Sequence, residues 1–233
     1  RNAVRAMADQ EKPCVVVTYE SLAESIAWEG FFSQTNRKTE RKQKALLPHQ
    51  VTAVSSILEE YAKGVSRTQL IMACGTGKTL TSQRIAESLE ADLTIFLVPS
   101  LLLVQQSRSS WLENYSRQAA LSVLAVCSDN SVVDDELASS IIDLPFPVTS
   151  DPTEIADFLS IPGSKVIFST YQSFSRVSSG LIEAHMKPDL VICDEAHKLV
   201  GTKAKKLSVC LRDISLSDSK YLFMTATPKV FLR

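Results

Sequence analysis

The stretch that decides the fold is Ala73-Cys74-Gly75-Thr76-Gly77-Lys78-Thr79. It follows a short apolar run and opens a segment of helical character. Glycines in such a loop let backbone N–H groups surround phosphate oxygens, and the helix that begins there adds positive potential. The Lys78 ammonium would meet the β- and γ-phosphates, and the Thr79 hydroxyl would ligate Mg²⁺. The stretch therefore predicts a nucleotide-phosphate loop, although Met72 stands where the general pattern has its first glycine.

Around this loop, short apolar runs alternate with longer segments of helical period from Leu46 onward. The runs are Leu70 to Ala73, Leu93 to Val98, Leu121 to Val126, Val166 to Phe168, Leu190 to Cys193 and Leu222 to Met224. Polar residues do not alternate with apolar ones in these runs, and such continuous apolar runs are typical of parallel strands buried on both faces. Helices are predicted from Pro48 to Lys63 and after Lys78, Ser100, Thr153, Tyr171 and Lys203. The pattern predicts an α/β fold with a mostly parallel β-sheet and helices on both faces, with a surface excursion from Asn130 to Pro152.

A second motif, Asp194-Glu195-Ala196-His197, follows the apolar run that ends at Cys193. Parallel strands present functional groups at their carboxyl ends, so this acidic pair and the phosphate loop are expected to meet. Asp194 would hold the Mg²⁺ that Thr79 also contacts, and Glu195 would orient or deprotonate the attacking water. Taken alone, two acids after a strand more often mark a helix N-terminus, where acidic side chains are favoured. Together with the loop, they predict that Lys78, Asp194 and Glu195 are catalytic.

Six motifs together resemble the first RecA-like domain of superfamily-2 helicases and translocases. In order they are Pro48-His49-Gln50, Ala73 to Thr79, Pro99-Ser100, Ser169-Thr170-Tyr171, Asp194 to His197 and Thr225-Ala226-Thr227-Pro228. The first motif, Met72 to Gly75, Val98 to Gln106 and Trp111 are more narrowly similar to the motor part of restriction-type enzymes, such as the single-chain type I enzymes.

This resemblance implies a RecA-like P-loop NTPase domain over residues 46–233, with residues 1–45 as an extension or linker from a preceding region. It implies ATP and Mg²⁺ as cofactors. A second RecA-like domain of the same polypeptide, absent from this chain, would contribute arginines at the γ-phosphate. We therefore expect the isolated chain to be nearly inactive as an ATP hydrolase.

The resemblance also implies roles for individual residues. The nucleotide would contact Gln50, Cys74, Gly75, Thr76, Gly77, Lys78, Thr79 and Leu80. Gln50 would bond the adenine edge, since an amide both donates and accepts; an ordinary capping-box residue is the alternative. His197, Thr225 and Thr227 would couple the nucleotide state to domain movement, with a satisfied buried histidine as the alternative.

Nucleic-acid phosphates would lie against hydroxyls and helix N-termini after two strands. The residues concerned are Pro99, Ser100, Ser169, Thr170 and Tyr171. Helix N-capping by Ser100 and Thr170 explains these residue types equally well.

The leading hypothesis is a DNA helicase or translocase motor that couples ATP hydrolysis to movement on duplex DNA in a restriction or phage-defence enzyme. One alternative is a DEAH-type RNA helicase. Another is a nucleotide-gated nucleic-acid-binding switch that does not translocate, against which the intact Lys78, Asp194 and Glu195 argue.

Composition narrows the class of protein further. The 233 residues carry 25 Lys and Arg against 26 Asp and Glu, which excludes a histone-like basic protein. The longest apolar run, Leu93 to Val104, is shorter than the ~20 residues of a membrane span, so no membrane partner is expected. Five cysteines without Cys-x-x-Cys spacing predict the reduced thiols of a cytoplasmic protein and no zinc site. The basic run Arg37 to Lys44 and the residues Lys203, Lys205 and Lys206 could contact a phosphate backbone, although such charge runs are more often solvated faces.

Overall fold

The computed structural model describes residues 44–116, 121–127, 148–199 and 218–227, together with Cys210, Asp213 and Leu216. All of these lie in one compact unit, residues 43–233. The extension predicted over residues 1–45 falls outside the described residues except for its last two positions, and so do the basic segment at 203–206 and the helix predicted after Lys203.

Seven strands form one sheet in which every described pairing is parallel. They are β1 Arg67–Ile71, β2 Leu93–Val98, β3 Leu121–Val126, β4 Val148–Thr149, β5 Ser164–Thr170, β6 Leu190–Cys193 and β7 Lys220–Thr225. Their order across the sheet is β1-β7-β6-β2-β5-β3-β4. The predicted α/β fold with a parallel sheet is confirmed.

Among the described residues, five helices and a short 3₁₀ helix precede or follow these strands. They are α1 Pro48–Ala62, α2 Lys78–Ser88, α3 Leu101–Asn114, α4 Pro152–Ser160 and α5 Phe174–Glu183, with the 3₁₀ turn at Ala196–Leu199. α1 begins at Pro48 because proline has no N–H to lose in the first turn of a helix. It ends before Gly64, whose φ of +87° suits glycine and stops the helix.

The core has two halves, one on each face of the sheet. On one face Ile85 of α2 and Trp111 of α3 pack with Phe96 of β2. On the other face, Ile155 of α4 and Phe174 of α5 belong to the cluster that contains Ile95 and Leu97, the residues on either side of Phe96 in β2. Alternate residues of the same central strands therefore meet different helices, which is why β2 is buried along its whole length. Helices on both faces are thus confirmed.

Two strands differ from the sequence pattern. β1 alternates between exposed and buried residues because it lies at the edge of the described sheet. β4 lies inside the segment that the sequence assigns to a surface excursion, and its two residues pair with Ala125 and Val126. A strand of two residues is too short for any periodicity to reveal. No helix among the described residues is long and apolar enough to cross a bilayer.

Candidate functional site

The glycine-rich loop joins β1 to α2 at the carboxyl edge of the sheet. Gly75 and Gly77 have φ values of +77° and +88°, a region that glycine adopts without strain. The Thr76 hydroxyl donates to the carbonyl of Ala73 at 2.7 Å and closes the turn. Lys78 begins α2, so the unpaired N–H groups of the first helical turn face the loop. The Lys78 ammonium lies 3.4 Å from the Met72 carbonyl, which holds its positive charge across the loop.

Met72 has a structural reason to replace the usual first glycine. Its backbone N–H donates to the carbonyl of Thr225 at 3.1 Å and continues the pairing of β1 with β7. Its side chain is buried in the core. An apolar residue therefore suits this position, and the loop turns only after it.

Gln50 links α1 to the phosphate loop. Its Oε1 accepts from the Leu47 N–H at 2.8 Å, and its Nε2 donates to the Thr76 carbonyl at 2.9 Å. A Cβ at Gly77 would displace this amide, and the left-handed φ of +88° at Gly77 independently favours glycine. The capping role that the sequence left open for Gln50 is present in this geometry. The predicted contact between Gln50 and adenine stays a prediction.

A cavity of about 610 Å³ lies beside the loop, a volume typical of small-ligand sites. Its lining comprises Lys44, Ala45, Leu47, Gln50, Gly75, Thr76, Gly77, Lys78, Thr79, Leu80, Ser110 and Asn114. All the predicted nucleotide-contacting residues except the exposed Cys74 are on this wall. Sequence reasoning missed Ser110 and Asn114, because they lie on α3 and belong to no motif.

The acidic pair follows β6, and only β7 separates β6 from β1. Asp194 is 7% exposed, and its Oδ1 accepts from the Glu195 N–H at 2.9 Å. Burial raises the pKa of the Asp194 carboxyl; that hydrogen bond and the charges of Lys78 and His197 act in the opposite direction. The strands that end at the phosphate loop and at the acidic pair are therefore separated by β7 alone, and the joint role of Lys78 and Asp194 stays a prediction.

His197 and Thr225 are brought together at the ends of two neighbouring strands. His197 Nδ1 lies 3.0 Å from Thr225 Oγ1 and 3.2 Å from Glu195 Oε2. The N–H of Thr227 donates to the same Thr225 hydroxyl oxygen at 3.1 Å. A continuous set of contacts thus runs from Glu195 through His197 to Thr225 and Thr227.

The residues predicted to contact nucleic acid occupy two different environments. Pro99 and Ser100 are partly exposed before α3, and Ser100 makes no side-chain capping bond. Ser169, Thr170 and Tyr171 are buried.

The hydroxyls of the buried three bond within the chain. Ser169 donates to the Thr170 carbonyl at 3.0 Å, and Thr170 Oγ1 accepts from the Ser173 N–H, three residues ahead and at the N-cap of α5. The Tyr171 hydroxyl donates to the Asp194 carbonyl at 2.7 Å. The Tyr171 bond stabilises the chain directly after β6, where the acidic pair lies. Contact of these residues with nucleic acid stays a prediction.

The described cysteines are free thiols. Cys74 is exposed, and Cys127, Cys193 and Cys210 are buried. No group of three or more metal-ligating side chains occurs among the residues that the structure describes.

Comparison with known proteins assigns the domain. Residues 43–230 match the ResIII family, described as "Type III restriction enzyme, res subunit". The fold is similar to that of the type ISP restriction-modification enzyme LlaBIII bound to DNA, with a TM-score of 0.68 and 30% identity over 81% of this chain. It is also similar to a nuclease-deletion mutant of the type ISP enzyme LlaGI in complex with a DNA substrate mimic, with a TM-score of 0.62 and 31% identity over 81% of this chain. The chain spans 13% and 18% of those two proteins. No curated protein sequence matches it.

Proposed function

We propose that this chain, which belongs to the ResIII family and is a helicase-type motor domain with a RecA-like fold, binds Mg²⁺ and ATP. Hydrolysis of ATP would move a longer protein along duplex DNA. One observation carries the proposal. The phosphate loop with Lys78 and the acidic pair Asp194-Glu195 end two strands separated by one strand, and the Lys78 charge acts on the Asp194 carboxyl. This is the arrangement that phosphoryl transfer needs.

The residues of the loop suit a magnesium nucleotide. The backbone of Gly75 to Lys78 would surround the phosphates, and Lys78 would neutralise the charge on the β- and γ-oxygens. Thr79 and Asp194 would hold the cation, and the buried Asp194 favours a positively charged partner because burial without one penalises its ionised form. The bound cation would offset phosphate charge and orient its oxygens.

Glu195 would position and deprotonate the attacking water. Its carboxylate is partly buried, and Oε2 lies 3.2 Å from His197 Nδ1. His197 in turn contacts Thr225. Through these contacts, the presence or loss of the γ-phosphate would change the positions of residues at the ends of β6 and β7. This is the proposed coupling to movement between domains.

Duplex DNA and a second RecA-like domain of the same polypeptide complete the proposal. The DNA-bound state of LlaBIII and the substrate-mimic complex of LlaGI support DNA as the polymer along which the protein would move. A second domain would supply the arginine at the γ-phosphate, a group worth orders of magnitude in related sites. The chain alone would then bind nucleotide weakly and hydrolyse it very slowly.

The test is ATP hydrolysis by the full-length protein with no polynucleotide, with duplex DNA, with single-stranded DNA and with RNA. Glu195→Gln is the catalytic blank, and Glu183→Gln, at the exposed end of α5, is the matched control. We expect stimulation by duplex DNA that Glu195→Gln loses by about 100-fold or more and Glu183→Gln keeps. Stimulation by RNA alone would transfer the assignment to an RNA helicase. Unchanged turnover in Glu195→Gln would refute the catalytic assignment.

A further inference from the structure

Two adjacent side chains of α1 meet the same carbonyl of the phosphate loop. Gln50 Nε2 donates to the Thr76 carbonyl at 2.9 Å, and His49 Nε2 lies 3.3 Å from the same oxygen. A carbonyl oxygen only accepts, so the imidazole nitrogen that faces it carries a proton and donates. Because this oxygen has two lone pairs, it can accept from both side chains at once.

The Thr76 carbonyl also determines where the next N–H of the loop points. The peptide between Thr76 and Gly77 is trans and planar, so its C=O and N–H lie on opposite sides. With the carbonyl turned towards α1, the Gly77 N–H points away from α1. This N–H donates to no residue that the structure describes, so it is available to a phosphate oxygen.

The Gln50 amide has a second expected task that conflicts with this one. Its Oε1 accepts from the Leu47 N–H at 2.8 Å and its Nε2 bonds Thr76, so both of its polar atoms are engaged within the chain. The predicted contact with the adenine edge needs the donor and the acceptor of the same amide. Base binding would therefore break the bond from Gln50 to Thr76 while the phosphates still need the loop in place.

His49 is placed to keep the Thr76 carbonyl engaged at that stage. The residue is exposed and is absent from the described lining of the cavity, so a nucleotide in the cavity would leave the imidazole where it is. Its backbone lies in the first turn of α1, where the Leu47 carbonyl accepts from the N–H groups of Gln50 and Val51. This turn stays formed when the Gln50 side chain rotates.

We propose that His49 is a positioning residue that holds the Thr76 carbonyl, and with it the Gly77 N–H, when the Gln50 amide turns to the base of the nucleotide. The inference rests on the proposed nucleotide site. The amide exchanges its bond to the loop for bonds to the base, and the imidazole keeps the peptide plane aimed at the phosphates. The loop thus keeps its phosphate-binding shape throughout nucleotide binding.

The experiment measures the dissociation constants of Mg²⁺-ATP and Mg²⁺-tripolyphosphate for the full-length protein by titration calorimetry. Tripolyphosphate has the phosphates of ATP without the base, so Gln50 stays on Thr76 when it binds. His49→Phe keeps a ring but removes the donor, whereas His49→Gln can place an amide nitrogen where the imidazole nitrogen lies. We expect His49→Phe to weaken ATP binding by about 3- to 10-fold and tripolyphosphate binding by less than about two-fold. His49→Gln should bind both ligands as native protein does.

Removal of the Gln50 amide should change the result for tripolyphosphate. In the Gln50→Ala background, His49 is the remaining described side chain on the Thr76 carbonyl. Adding His49→Phe should then weaken tripolyphosphate binding by about 3- to 10-fold. Unchanged binding in this double variant would show that His49 does not hold the loop. The single variants decide the question if the double variant does not fold.

Three further outcomes would overturn this inference and leave the proposed function standing, because native protein would still bind both ligands. An unchanged affinity of His49→Phe for ATP would show that Thr76 needs no second donor. Equal losses of ATP and tripolyphosphate binding in His49→Phe would contradict the release of the Gln50 amide. Equal effects of His49→Phe and His49→Gln would show that the donor is not responsible. If native protein bound neither ligand, the proposed function itself would fail and the inference with it.

Discussion

The hydroxyl of Tyr171 donates to the main-chain carbonyl of Asp194 at 2.7 Å, and both residues are buried. This bond joins the end of β5 to the acidic strand across β2. Tyr171→Phe would leave the Asp194 carbonyl without its partner, so we expect a loss of about 1–3 kcal/mol in the free energy of unfolding, measured by urea titration. Tyr115→Phe is the control, because the Tyr115 hydroxyl bonds no described residue. Equal effects of the two variants would contradict the role of this bond.

Gly77 and Gly64 provide a matched pair of backbone positions. Both have φ near +88°, but a Cβ meets the Gln50 amide at Gly77 and nothing within 4 Å at Gly64. Each alanine variant should lose about 1–2 kcal/mol of stability from the left-handed conformation. Only Gly77→Ala should also weaken binding of a fluorescent ATP analogue, by about ten-fold or more, because the Gln50 amide, which bonds the Thr76 carbonyl of the loop, must shift. A similar loss of binding in Gly64→Ala would show that stability alone is responsible.

Asp194 should make stability depend on pH in a specific direction. Its pKa in the folded chain is raised, chiefly by burial, so its contribution to stability is fully present below the unfolded pKa and is lost as pH rises through the folded pKa. At neutral pH, without Mg²⁺, the ionised group is thus a net cost. Asp194→Asn should be more stable than the native chain there, and the gap should close as the pH falls. Thermal unfolding at several pH values measures it.

The same Asp194→Asn variant should lose DNA-stimulated ATP hydrolysis, because an amide holds Mg²⁺ more weakly than a carboxylate. If thermal unfolding showed Asp194→Asn to be less stable than the native chain at neutral pH, the upward direction of the Asp194 pKa shift would be contradicted.

Thr225 supplies the hydroxyl that both His197 and the Thr227 N–H contact. Thr225→Val removes it with little change in volume, whereas Thr225→Ser keeps it. In the full-length protein, we expect Thr225→Val to lower the distance moved per ATP by at least about five-fold, while ATP hydrolysis persists. Displacement of a triplex strand, compared with phosphate release, gives the ratio. If the valine and serine variants behaved alike, the hydroxyl would have no part in coupling.

The parallel sheet could be predicted because its central strands are continuous apolar runs. β2, β3 and β6 begin and end where those runs do. β5 and β7 extend beyond their runs, because Ser169, Thr170 and Lys220 pair within the sheet although they are polar. Hydrogen bonding to neighbouring strands, which no local pattern records, determines those ends.

The candidate site could be predicted only where it consists of local motifs. The loop and the acidic pair lie on contiguous stretches, and the carboxyl-edge rule brings them together. Asn114 could not be found in this way, because its place on the cavity wall depends on how α3 crosses α2. The engagement of the Gln50 amide was equally hidden, since its partner Thr76 is 26 residues away.

The strand order also determines when this site can form during synthesis. β7 is the last of the described strands in chain order, yet it lies between β1 and β6, the strands that carry the loop and the acidic pair. Until Thr225 has left the ribosome, the facing edges of β1 and β6 lack their common neighbour and remain open to wrong pairing. On the proposed function, a nascent chain would gain affinity for a magnesium nucleotide only after β7 has paired with both strands.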